Sequence, residues 1–292
     1  MNQNFGQVSA LIVGIQNSLN WSINDILVSN STISSTNKGG LICGVVLNNG
    51  SILQIQIIQS NISLNSMNQA VYCGGLLGWI KKNANTTIQN VKFIASNVSG
   101  ISQQLDTHAG AIVGEQWNNA SLTIMNTITN SIVVFVQSSQ RVSFLGGIIG
   151  TSYFNSIFQS IQMLNSSICS FGNLNIFQGG VIAYQTSSSN VSIFDVQSNY
   201  SYISGSSNQS ISSGGIVGYA LQTNILISSV TINNFTILCI GQTINSKLIT
   251  SFSASGPGTI KLVNSKSLGT NIINNDILNN CILTNITTIN GC

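Results

Sequence analysis

Ile, Val and Leu alternate with Asn, Ser, Thr and Gln along nearly the whole chain, as in SILQIQIIQSNISL at 51–64. A period of two sends successive side chains to opposite faces of a strand, so the pattern predicts half-buried β-strands. Long helical patterns with N-caps and Lys/Glu faces are absent, and almost no helix is expected. The longest apolar runs, such as SIVVFV at 131–136, fall far below the roughly 18 residues that a membrane-spanning helix needs.

The alternation is punctuated at a fixed interval. A Gly-Gly-aliphatic-aliphatic-small block recurs as GGLIC (39–43), GGLLG (74–78), AGAIVG (109–114), GGIIG (146–150), GGVIA (179–183) and GGIVG (214–218), at a spacing of 33 to 36 residues. Weaker copies, SALIVG (9–14) and SKLITS (246–251), extend the series to about eight units. A second marker keeps pace: Asn30, Asn61, Asn97, Asn130, Asn165, Asn199, Asn234 and Asn264 each follow a short strand pattern.

Each unit of about 34 residues therefore reads as a Gly-rich strand, a polar loop, an alternating strand such as TIQNVKFIAS (87–96), an Asn turn and a third short strand. Three strands per unit fit one turn of a β-helix. A propeller blade of similar length would carry hairpin signals between strands, and only Asn49-Gly50 and Asn290-Gly291 offer them. The expected fold is an all-β, single-stranded parallel β-helix of about eight coils. It occupies residues 1–264, and 265–292 form a degenerate coil or cap. The repeating Asn side chains are expected to stack as an internal amide ladder, in a left-handed turn that Asn tolerates.

GGLLG followed by TIQNVKFIASNVSG resembles the GLUG repeat of large surface and secreted proteins, and more loosely the passenger β-helices of adhesins. The resemblance covers about 250 residues and implies a repetitive extracellular or cell-surface stalk, with no catalytic residues to carry over.

Composition narrows the functions further. Charged residues make up only 4% of the 292, against a typical share of roughly 25%, and hydrophobic ones reach 43%. So many branched aliphatics exclude disorder. The eight basic residues are scattered and the net charge is +3, which makes no phosphate-binding stripe and argues against nucleic acid as a partner. No basic start with a cleavage site marks a secretory signal in MNQNFGQVSALIVG. The partners expected are glycans or other surface proteins, with end-to-end self-association through open terminal coils.

Catalysis by a β-helix of the polysaccharide lyase or hydrolase kind needs clustered carboxylates, or a carboxylate beside a base. The chain has five acids, Asp25, Asp106, Glu115, Asp195 and Asp276. The one constellation is Asp106, His108 and Glu115 around a single Gly block, with Lys81 and Lys82 one coil earlier. A charged loop explains it as well, so the expectation is no enzyme, no cofactor and no metal. Trp79, Tyr184 and Tyr219 follow the last residue of a Gly block, with Trp117 and Tyr153 two positions further on. They would either line one edge and stack on sugar rings or plug a corner between sheets. Of thirteen Asn-x-Ser/Thr sequons, the loop positions Asn85, Asn119 and Asn208 are the glycan candidates. Cys281 and Cys292 are the candidate disulfide, and the other cysteines read as buried thiols.

Overall fold

Alternating apolar residues find their inward face by stacking coil upon coil. The computed structural model describes residues 8–81, 83–186 and 189–240, and beyond them the backbone of seven short strands between 243 and 289. A representative coil runs Thr107–Gly110, Val113–Gln116, Ser121–Asn130 and Val133–Ser138. Each strand pairs in parallel with its equivalents one coil before and one coil after. Four parallel sheets result, here called first to fourth in the order the chain visits them. Three contain eight strands, the third contains eleven, and no helix occurs among the described residues. The chain is a parallel β-solenoid.

Four strands per coil replace the three expected, because the Gly block is a corner and not a strand. First-sheet strands end at Gly74, Gly110, Gly146 and Gly179, and second-sheet strands begin three residues later at Leu77, Val113, Ile149 and Ile182. A Cβ on any of these four glycines would run into the carbonyl oxygen of the residue that opens the following strand. Only glycine lets the chain fold back so closely. The last residue of the block holds the two arms together: a Cβ on Gly78 would lie 2.7 Å from the Gly39 nitrogen, and one on Gly114 2.7 Å from the Cys73 nitrogen.

Packing is complete over about six turns, from Lys38 to Ile240, and not over eight. The coil before them, Val8–Ser35, leaves Leu11, Ile12 and Ile15 exposed because no further described coil covers them, while Leu27 is in register with the outward, exposed Gln56 and Lys92. After Ile240 the strands shorten to three to five residues.

The asparagine marker is also corrected. Residues with left-handed backbone form two long columns, Asp25, Gln54, Asn90, Asn126, Ser160, Asp195 and Ser229, and Asn30, Gln59, Ala95, Ser131, Asn165, Tyr200 and Asn234, with Asn83, Asn119 and Gln222 in a third and Asn20 two places further along the same turn. Asn30, Asn165 and Asn234 sit in the second column, Asn130 and Asn199 one residue before it, and Asn61 and Asn97 two residues after it. These amides lie on the outside, exposed or half-buried, and not in the core. They form short ladders, with Asn97 donating to Asn61 (2.8 Å) and Asn165 to Asn130 (3.4 Å). Asn264 lies outside the described residues.

The first left-handed column explains a break in the alternation. In the strand Asn85–Ile94, Ile88 and Val91 are both buried although three residues apart, because the chain turns at Asn90 (φ 58°) and brings Val91 and Phe93 back to the interior.

Left-handed backbone costs a non-glycine residue about 1–2 kcal/mol, less for Asn and Asp. Ala95→Gly is therefore expected to raise the melting temperature and Asn126→Val to lower it, each by an amount near 1 kcal/mol. Gly114→Val, which must force the touching backbones away from each other, is expected to destabilise far more than either; thermal unfolding followed by circular dichroism ranks the three.

Candidate functional site

The two arms of each Gly corner lie backbone against backbone, so the side chains at their open ends meet. On the first sheet the register aligns Lys38, Tyr72, His108, Phe144 and Phe177. On the second it aligns Val45, Trp79, Glu115, Thr151, Tyr184 and Tyr219. Trp117 and Tyr153 occupy equivalent places just beyond the second sheet, their amides bonded to the carbonyls of Ile80 (2.9 Å) and Gln116 (3.2 Å).

The rings close on each other into one spine along the axis. Tyr72 stacks on His108 at 5.0 Å, His108 on Phe144 at 4.6 Å, and Phe144 on Phe177 at 5.4 Å. Tyr184 and Tyr219 are nearly parallel, 2° apart in plane at 5.4 Å. Across the arms Tyr72 stacks on Trp79 at 5.7 Å, and the Lys38 ammonium sits 5.3 Å and 5.2 Å from the ring centres of Tyr72 and Trp79. Five predicted residues thus share one edge, Trp79, Tyr184 and Tyr219 in one column and Trp117 and Tyr153 in the next. Tyr72, His108, Phe144 and Phe177 complete the spine, each two residues before the first glycine of its block, a constant offset visible in the sequence itself. Most ring faces are spent on neighbouring rings. Trp117 is the outlier, 41% exposed and tilted at 5.0 Å against Trp79.

One coil carries polar chemistry inside this spine. His108 and Glu115 are both 4% exposed, with His108 Nδ1 3.8 Å from Glu115 Oε2 and 2.7 Å from the Thr151 hydroxyl. Burial pushes Glu115 up to about 8, helped by Asp106 and opposed by Lys38, and burial pushes His108 down to about 3. At neutral pH the imidazole is uncharged and the carboxyl is largely protonated, so the 3.8 Å contact is no ion pair despite its geometry. Burial also lowers the Lys38 ammonium, against the pull of Glu115. Glu115 Oε2 and the Trp79 indole N–H, neighbours in register, have no hydrogen-bond partner among the described residues. Asp106 is half-buried and accepts from the Val142 amide at 3.1 Å. Lys81 is half-buried, and Lys82 lies outside the described residues.

The remaining candidates are dispersed. Asp25 and Asp195 are exposed members of one left-handed column in different coils, and Asp195 accepts from Ser160 (3.1 Å). Asn85, Asn119 and Asn208 are exposed, which suits glycan acceptors, although Asn85 is no loop residue: it opens the strand Asn85–Ile94 and its side chain accepts from Ser121 (2.6 Å). Cys43, Cys73 and Cys239 are free and buried, and burial pushes the Cys43 thiol up to about 12. Cys281 opens the short strand Cys281–Thr284, but Cys292 lies outside the described residues and so the pairing does too, as does the asparagine-rich segment between 274 and 280. Among the described residues no cluster of His, Cys, Asp and Glu has the makings of a metal site.

The buried pair fixes a pH profile. Glu115, raised from 4.5, adds stability that is full below pH 4.5 and lost as pH rises through 8. His108, lowered from 6.5, adds stability that is full above pH 6.5 and lost as pH falls toward 3. The two slopes cancel between 4.5 and 6.5. Melting temperature is expected to show a plateau there and a fall on both sides, about 2 kcal/mol from pH 6.5 to 8. Glu115→Gln should abolish the fall between pH 6.5 and 8, below the range where the buried thiols contribute, and His108→Gln the acid fall; a scan that stays flat from pH 6 to 8 in the unsubstituted protein contradicts this account.

No family model matches the sequence, and no curated protein does. Among solved structures, the catalytic domain of a GH87 alpha-1,3-glucanase in complex with nigerose is similar at 12% identity and a TM-score of 0.21, over 91% of this chain and 64% of that domain. The chain thus spans less than two thirds of that domain's length, and so low a score says nothing of shared chemistry.

Proposed function

We propose that the chain is a non-catalytic solenoid module displayed outside the cell or on its surface, serving as a stalk or adhesion element. The observation that carries the proposal is the closed aromatic spine on a stack of coils with uncharged polar exteriors. Most of the ring faces are spent in holding coil to coil, which suits a rod-like stalk. The likeness of GGLLG and TIQNVKFIASNVSG to GLUG repeats, the exposed sequons at Asn85, Asn119 and Asn208, and the sparse charge support an extracellular setting. Antibody labelling of intact, unpermeabilised cells is expected to detect the chain, and protease added outside is expected to remove the signal. Labelling only after permeabilisation overturns the localisation.

A second reading, carbohydrate binding, is favoured by one observation: the Trp117 indole is the large ring that leaves its surface open at the edge of the spine. Amphipathic rings of this kind serve well where one side is apolar and the other wet.

End-to-end association belongs to the same proposal. The exposed Leu11, Ile12 and Ile15 mark a coil whose outer strand edges template further pairing. Sedimentation velocity is expected to show mass rising with concentration, and Leu11→Lys with Ile15→Lys to suppress it; a monomer at every concentration refutes it.

A further inference from the structure

Glu115 breaks the rule that the rest of its column obeys. The equivalent residues in the other packed coils are Val45, Trp79, Thr151, Tyr184 and Tyr219, none of them ionisable near neutral pH. A carboxyl 4% exposed, with Oε2 unpartnered, lowers stability at neutral pH, and a neutral side chain at this place would be easier to accommodate. The same coil supplies the most exposed ring of the edge, Trp117. One coil earlier the Trp79 indole N–H is also unpartnered, and it is a register neighbour of Glu115. A local violation of the repeat that costs stability points to function when such groups fall in adjacent coils of one edge.

We infer that Glu115, Trp79 and Trp117 form a binding site for one ring of a neutral saccharide. The carboxyl of Glu115 and the indole N–H of Trp79 take adjacent ring hydroxyls, and Trp117 moves off Trp79 to stack on the apolar face of the sugar. A carboxyl that is both donor and acceptor suits a hydroxyl pair better than a fixed anion would, and Lys38 on the far side of Trp79 opposes the entry of a cation. The buried oxygen and the buried N–H, each idle in the free protein, acquire partners when the ligand is bound. The inference rests on the carbohydrate-binding reading and places that binding at one coil instead of along the whole edge.

The test is a titration of the whole chain with neutral oligosaccharides of the gluco-, xylo-, manno- and chito- series, read by tryptophan fluorescence and calorimetry. At least one series is expected to bind and to perturb the emission. Trp117→Ala and Glu115→Leu should each weaken binding tenfold or more, while Glu115→Leu raises the melting temperature at pH 8, which separates lost binding from lost folding. Tyr219→Ala, at the far end of the row, should bind as the unsubstituted protein does. Binding that survives both Trp117→Ala and Glu115→Leu keeps the carbohydrate reading and overturns this site. Absence of binding to every series overturns both, and tighter binding of an oligoglucosamine or an oligogalacturonate, titrated alongside as the cationic and acidic comparison, overturns the neutral assignment.

Discussion

The fold hangs on the approach of two backbones at Gly44, Gly78, Gly114, Gly150 and Gly218. At these places the second-sheet arm of one coil lies against the first-sheet arm with no room for a Cβ. Once the arms touch, their outward side chains have no space except over one another. Two columns that would otherwise face solvent separately become one spine, and Tyr72, Trp79, His108, Phe144, Phe177 and Tyr184 stack both along the axis and across the corner. Where alanine replaces the glycine, at Ala183, the spine persists through Tyr184 and Tyr219, so one methyl is tolerated. The corner, its depth and the aromatic edge are consequences of a single steric allowance.

Stacking like on like then governs what each column holds. Neighbouring strands lie about 4.8 Å apart, so a charge would meet the same charge at every coil. Neutral side chains that bond to copies of themselves have no such difficulty. The outer amides of Asn97 and Asn61, or Asn126 and Asn90, do so on the surface. Inside, Gln116 accepts from Ser152 (2.8 Å) and Ser156 (2.7 Å), and Gln178 bonds to Ser170 and Ser213, so the buried polar groups link successive coils. The 4% charge content and the all-parallel fold are therefore one fact seen twice.

Much of this is legible in the sequence because period and alternation are properties of single positions. The Gly block, its spacing and the ring that follows it need no knowledge of what lies across the corner. What the sequence hides depends on relations between positions. The block reads as a strand because its aliphatic residues look like one; that Gly74 abuts the Leu77 carbonyl is a fact about a fold-back. The asparagines read as one column because three neighbouring registers, at, before and after a left-handed residue, differ by one or two places in a chain where Asn is common. Left-handed positions filled by Ala95, Ser131 and Tyr200 carry no residue signature at all, since the stack imposes their conformation. On the edge, Tyr72, His108, Phe144 and Phe177 keep the period of the glycines that follow them, yet their mixed residue types hide the column until the arms are seen to touch.

The residues around Glu115 show why regularity and function separate in a repeat. Identical coils are free to be optimised for packing, and a site requires at least one coil to differ. Apart from Lys38 at the start of the spine, the difference is confined to His108 and Glu115 within one coil, held by Thr151 above and by Tyr72 and Trp79 below. Burial in a wall of rings keeps both groups uncharged near neutral pH, so the interruption does not bring the like-charge repulsion that the stack forbids. A solenoid therefore admits polar chemistry where it is neutral by environment and not by identity. It does so most readily beside aromatic neighbours, which supply a low dielectric without competing for hydrogen bonds. The one buried carboxyl among the packed coils and the most open ring of the edge then stand two residues apart within a single local departure from the repeat.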